Sequence, residues 1–281
     1  MMRFPPRLLW DLTRVRIAQK LFGTARNPWA LRLDLAQLRP NTDAAHTDTS
    51  PDGIHSSSEI SSRDSQVLSR VRASSAPVVW IGGDAPLQHA RIGHLVREIV
   101  NCGRTVFVEM DGTLLRRRIH EFRPVPRLYL VLPLNGLENT HDSRARHTGN
   151  FRATMEALRT AKLSGFHICI ETTIFPGSDR IELIALANFI STLGVDGWIH
   201  KRPPAAANDE AVSETLQPAR DLIPSRHWRT FSALLDLISV PAQPGLEKKR
   251  SAHPVAQKVG KVPTHETREG HDAHEQGLRA L

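Results

Sequence analysis

From Pro77 to Ile199, short apolar runs alternate with longer amphipathic ones. This pattern restricts the chain to a parallel α/β sheet. Val78-Val79-Trp80-Ile81, Thr105–Val108, Leu128–Leu132, Phe166–Thr172 and Val195–Ile199 read as strands. Between them, Ile92–Val100, Leu114–Phe122, Phe151–Leu163 and Arg180–Leu193 read as helices, the last two stopped by Gly165 and Gly194. With Trp29–Leu35 as a first strand, about five or six βα units fit, too few to close a barrel. The expected fold is α/β: an open, partial (βα)6-type TIM-like barrel of parallel strands.

The flanks differ in composition. Residues 1–26 set Arg3, Arg7, Arg14, Arg16, Lys20 and Arg26 against Asp11, with Leu8, Leu9, Leu12, Val15 and Phe22 near helical spacing. Such a basic helix suits an anionic membrane surface. The commoner use of the pattern is a helix packed across the bottom of the barrel. Residues 27–200 hold the barrel core, interrupted at 40–66 by a polar, Ser- and Asp-rich stretch expected to be a mobile loop. Residues 201–240 read as a linker, with Pro203-Pro204, followed by one helix over Trp228–Ile238. The polar segment 241–281 reads as a disordered tail.

A net charge of +8 favours anionic partners. Nucleic acid is not expected, because aromatic residues make up only 5% and no stacking platform or groove-reading motif is visible. The two cysteines, Cys102 and Cys169, make neither a disulfide framework nor a CxxC metal pair. No run approaches the ~18 apolar residues of a membrane span, and no secretory core opens the chain. These features point to the cytoplasm, with the inner membrane face as the place where residues 1–26 would dock.

Polar residues gather where successive strands end, which is where α/β sheets place ligands. Gly82-Gly83-Asp84 follows the strand at 78–81; the glycines would let a ligand approach the backbone, and Asp84 would accept from an ammonium group. Glu109-Met110-Asp111-Gly112-Thr113 follows the next strand, and Pro133-Leu134-Asn135-Gly136 the one after, with His141-Asp142 beyond. Gly82, Gly83, Asp84, Glu109, Asp111 and Asn135 are thus the candidate ligand-binding set. Arg116-Arg117-Arg118, Arg144 and Arg146 are weaker candidates, since charge runs at helix starts are usually solvated.

This ordered set resembles the radical S-adenosylmethionine (radical SAM) superfamily. There one strand ends in Gly-Gly-Glu-Pro, the next in Thr-Asn-Gly-Thr, and the next in Ser-Leu-Asp-Gly followed by His-Asp. Gln19–Gly23, Ala161–Phe166, Thr172–Phe175 and Leu193–Gly197 support the likeness over roughly residues 15–200, and within the superfamily the chain is most similar to the hopanoid-biosynthesis branch that forms adenosylhopene. The resemblance implies a pocket for S-adenosylmethionine among the six candidates. It also implies a CxxxCxxC loop after the first strand, holding a [4Fe–4S] cluster through three thiolates. Those positions fall near Arg39, Asp43 and His46, none of them cysteine. The cluster is therefore expected to be absent, and no metal ligand is assigned. Asp84 also replaces the motif's glutamate, with Ala85 inserted before Pro86.

The expected function is a pseudoenzyme: a radical-SAM-like barrel serving as scaffold or ligand-binding protein, partnered with an active relative or another protein and linked to hopanoid or other lipid metabolism. One alternative is an active enzyme using the barrel mouth for non-radical, SAM-dependent or other chemistry. A remote second arises because Val106–Leu115 resembles the first motif of haloacid-dehalogenase-type phosphatases, with Glu109 where the nucleophilic aspartate would stand and Asp111 as acid. Catalytic residues are not assigned.

Overall fold

The computed structural model describes residues 2–22, 29–35, 57–82, 89–203 and 210–239. Its elements, in order, are α1 (Pro6–Phe22), β1 (Ala30–Asp34), α2 (Ser57–Ala73), β2 (Val78–Gly82), α3 (Ile92–Asn101), β3 (Thr105–Glu109) and α4 (Gly112–Arg118). Then follow β4 (Leu128–Pro133), α5 (Glu138–Ala145), α6 (Asn150–Leu163), β5 (His167–Thr173), α7 (Arg180–Thr192), β6 (Gly197–Lys201), α8 (Glu210–Asp221) and α9 (Arg226–Ser239). The strands form one parallel sheet in the order β1-β2-β3-β4-β5-β6. The central strands β2, β3 and β4 are almost wholly apolar and buried, as a sheet covered on both sides requires. The expected open half-barrel is the observed fold.

The outer face carries Val79, Ile81, Val106, Val108, Leu130, Leu132, Ile168 and Ile170, all buried. Helix α3 contacts β3, and α6 contacts β4 and β5. On the inner face, the register sets Trp80, Phe107, Tyr129 and His167 side by side. Their rings stack at centroid distances of 5.3, 4.9 and 5.1 Å. Trp228 packs edge-on and Phe231 tilted on this ladder, and Phe4 packs edge-on against both of them. Gly197 is required here, because a Cβ would come within 2.5 Å of the Trp228 ring.

Helix α9 therefore fills the lumen, and it also covers the free edge of β6. Ser232 Oγ accepts from His200 N (2.9 Å) and donates to His200 O (2.8 Å). Asp236 binds Arg202 Nε at 2.9 Å and lies 3.1 Å from Arg220 of α8. An exposed strand edge is thereby occupied by side chains of the same chain. At the other edge, α9 contacts β1, and Trp29 packs on Phe231.

Helix α1 lies across the end where the strands begin. Leu8 is buried there, and Arg127, just before β4, holds Asp11 at 3.1 Å. This is the packed-helix reading. It places Leu8 in the core, with Leu12 packed against it.

Two expectations on organisation need correcting. Helix α2 begins at Ser57, inside the stretch read as a mobile loop over 40–66. Its C-terminal half supplies Val67 and Val71, buried at four-residue spacing, and α2 contacts α3. Within the stretch read as a linker, α8 forms through Val212, Leu216 and Ala219, despite Pro218 inside it. The tail at 241–281 lies outside the described residues.

Candidate functional site

At the strand ends of the inner face lies a polar cluster. Arg32 (β1), Trp80 (β2), Glu109 (β3), Glu171 (β5) and Lys201 (β6) line one small cavity, with Ile199, and Leu235 of α9 beside it. These residues converge because each stands on the inward side of its strand. Trp80 Nε1 donates to Glu109 Oε1 at 2.6 Å. Lys201 Nζ lies 3.6 Å from the same oxygen and pairs more closely with Glu171. The cavity is partly open to solvent and offers about 10 Å³, room for about one water molecule.

The electrostatics follow from burial. Glu171 is almost fully enclosed. Loss of solvent, then the nearby Glu109 charge, push its carboxyl up to about 7, against the pull of Lys201 and Arg32. For Lys201, burial works to lower the ammonium, but Glu171 and Glu109 outweigh it and hold the group above its ordinary value. A carboxyl poised near neutrality beside a fixed cation can exchange a proton with a group in the cavity.

The sequence-derived candidates divide. Gly82 and Glu109 are brought together: a Cβ on Gly82 would sit 2.7 Å from Glu109 Oε2. The close approach that Gly82 permits is thus used by the protein's own carboxylate. Asp111 caps α4, its Oδ1 accepting from Thr113 N (2.7 Å) and Leu114 N (3.1 Å). That role, with Glu109 turned to Trp80 and Lys201, removes the basis for the phosphatase reading. Asn135 ties β4 to β5, with Oδ1 accepting from Thr173 N at 2.9 Å. Its carbonyl accepts from Arg144, whose guanidinium lies 4.7 Å over the Phe175 ring. Gly83, Asp84, Arg39, Asp43 and His46 lie outside the described residues.

The His141-Asp142 pair is likewise absorbed by the fold. Asn135 N donates to His141 Nδ1 at 3.2 Å, and burial lowers the pKa of the ring. Asp142 accepts from Phe151 N (2.7 Å) and Gly149 N (2.6 Å), and these bonds hold its carboxyl below the ordinary range. Arg118 pairs with Glu121 at 2.5 Å and reaches the carbonyl of His89, so it braces α3 against the turn after α4.

Glu171, Lys201, Trp80 and Arg32 escaped the sequence reading. The available signal was a carboxylate inside the apolar run Phe166–Thr172 and a lysine two residues after Val195–Ile199. Each marks a charge on an inward strand position.

The radical SAM superfamily family model matches residues 63–190. Over this segment the chain is similar to the radical SAM superfamily. Among solved structures, TYW1 with a lysine-pyruvate adduct bound is 18% identical, over 52% of this chain and 54% of that one, with a TM-score of 0.40. Streptococcus suis SuiB bound to S-adenosylmethionine is 12% identical, over 55% and 39%, with a TM-score of 0.44. Archaeal TYW1 is 14% identical, over 69% and 80%, with a TM-score of 0.41. The chain thus spans about half of the first of these structures and less of SuiB. No curated protein matches.

A radical SAM domain implies a cluster held by three thiolates, and the cysteines of this chain do not fit that requirement. There are two in the whole sequence. Cys102 caps the end of α3, three residues before β3 begins, at the opposite end of the sheet from the polar cluster. Cys169 is wholly buried in β5, and loss of solvent raises its thiol well above the ordinary value, opposing the thiolate form. Among the described residues, no group of three or more His, Cys, Asp and Glu side chains could hold a metal ion.

Proposed function

We propose that this chain is a radical-SAM-fold protein without the cluster or the radical chemistry, working in the cytoplasm as a scaffold or ligand-binding partner of an active relative or another protein. The observation that carries this reading is the thiol set: two cysteines, Cys102 at the end of the sheet away from the polar cluster and Cys169 sealed in β5, and none between β1 and α2. The filled lumen supports it. Trp228, Phe231 and Leu235 occupy the inner face, and the polar cluster leaves space for about one water. A tie to hopanoid or other lipid metabolism rests on the sequence resemblance alone.

Anaerobic reconstitution with iron and sulfide, followed by measurement of bound iron and acid-labile sulfide, tests the proposal. Neither should be retained. About four of each per chain, the content of a [4Fe–4S] cluster, would overturn it.

A second reading is favoured by one observation. Glu171, raised to about 7 beside Glu109 and Lys201, has the character of an acid–base group. On that reading the mouth runs non-radical chemistry on S-adenosylmethionine or another ligand. Calorimetric titration of the iron-free protein with S-adenosylmethionine separates the two: binding that is lost in Glu171→Gln supports an active site at the cluster.

A further inference from the structure

Helix α1 has two apolar faces. Leu8, Leu12 and Val15 turn to the core, and the opposite side carries Trp10, Ile17 and Leu21, which are 65%, 51% and 72% exposed. At 3.6 residues per turn these three fall within about 40° of one another, centred roughly opposite Leu8. Exposed Arg7 and Arg14 border the stripe on one side, exposed Lys20 and Arg16 on the other. The helix's acidic residue, Asp11, is turned inward and paired with Arg127. Three large apolar side chains in water on one short helix are unusual for a surface that meets nothing.

We infer that the outer face of α1 docks this protein on an anionic lipid surface. The charge pattern selects this occupant. A stripe of Trp, Ile and Leu flanked on both sides by cations sets its apolar groups into the acyl boundary while the basic side chains meet lipid phosphates. The exposed indole suits the interface, having an apolar body and a polar edge. A second copy would bring the same four basic residues against themselves, a repulsion that the lipid surface removes. Leu8, Phe4 and the Asp11–Arg127 pair fix α1 to the barrel, so the stripe is presented on a rigid base.

The test is flotation of the full chain with phosphatidylcholine vesicles, with and without phosphatidylglycerol. Binding is expected only with phosphatidylglycerol, and it should weaken as salt rises. A triple variant, Trp10→Ser with Ile17→Ser and Leu21→Ser, and a charge variant, Arg14→Glu with Lys20→Glu, should each bind at least about tenfold more weakly. Both should keep the wild-type melting temperature, because they alter exposed positions. Wild-type protein that does not float, or variants that float equally, would overturn the inference. So would a wild-type dimer that the triple variant converts to monomer, because the stripe would then pair two copies.

Discussion

Glu171 sits on the inward side of β5 with Cys169 and Thr173, and nothing but the Lys201 ion pair sets it apart from a core position. Its carboxyl titrates near 7 in the folded chain, against an ordinary value of 4.5. The folded state therefore binds the proton more tightly than the unfolded chain does, so its contribution to stability is fullest below about 4.5. That contribution falls as pH rises through the interval up to about 7, and is flat beyond. Glu171→Gln keeps the shape and removes the titration. Relative to wild type, the variant should gain stability on going from pH 5 to pH 8, on the order of 2 kcal/mol. Urea unfolding at the two pH values measures the difference. Parallel pH profiles for the two proteins would show that Glu171 is ionised across the range.

At the scale of elements, the strands and helices α3, α4, α6 and α7 were legible, the strands because burial leaves continuous apolar runs, as in Val78–Ile81 and Leu128–Leu132, whereas α2 and the polar α5 were not. Helix α9 was legible as a helix, but its position was not. Nothing in Trp228, Phe231 and Leu235 distinguishes packing on the inner face from packing outside, since that choice depends on the size of the lumen. Helix α8 was missed because Pro218 masks the spacing of Val212, Leu216 and Ala219. The polar cluster was missed because strand register, not sequence proximity, joins residues 32, 80, 109, 171 and 201. Conversely, Asp111 and Asn135 stand where ligand groups are expected, yet backbone amides claim their carboxylate and amide oxygens.

Asp236 is the element-scale test of how α9 is held. It binds Arg202 and faces Arg220, both largely enclosed, and Arg220 lies near His200, whose ring burial drives down to about 3. Asp236→Ala would leave two enclosed guanidiniums beside a neutral ring. Removing one partner from such a buried pair costs on the order of 3 kcal/mol. The expected result in urea is a loss of that size; a loss within ~0.5 kcal/mol would show that α9 is held by its aromatic residues alone.

For the molecule as a whole, the question is whether α9 is a wall of the barrel or a cover over a site. Six strands cannot close, and the helix that spans from β6 to β1 supplies the missing side. Its inward residues pack edge-on against a ring ladder crossing four strands, and Gly197 is shaped to admit Trp228. Displacing α9 would expose that ladder and the β6 edge together, so its opening should require most of the global unfolding free energy. Hydrogen exchange measured by mass spectrometry tests this. Amides of Phe231–Asp236 should exchange within about tenfold of those in β3, β4 and β5, an opening energy within ~1.4 kcal/mol of theirs. Exchange faster by about a hundredfold or more would make α9 a cover that lifts in the native state. The Glu171–Lys201 cluster would then open to ligands, and the enzymatic reading would displace the scaffold.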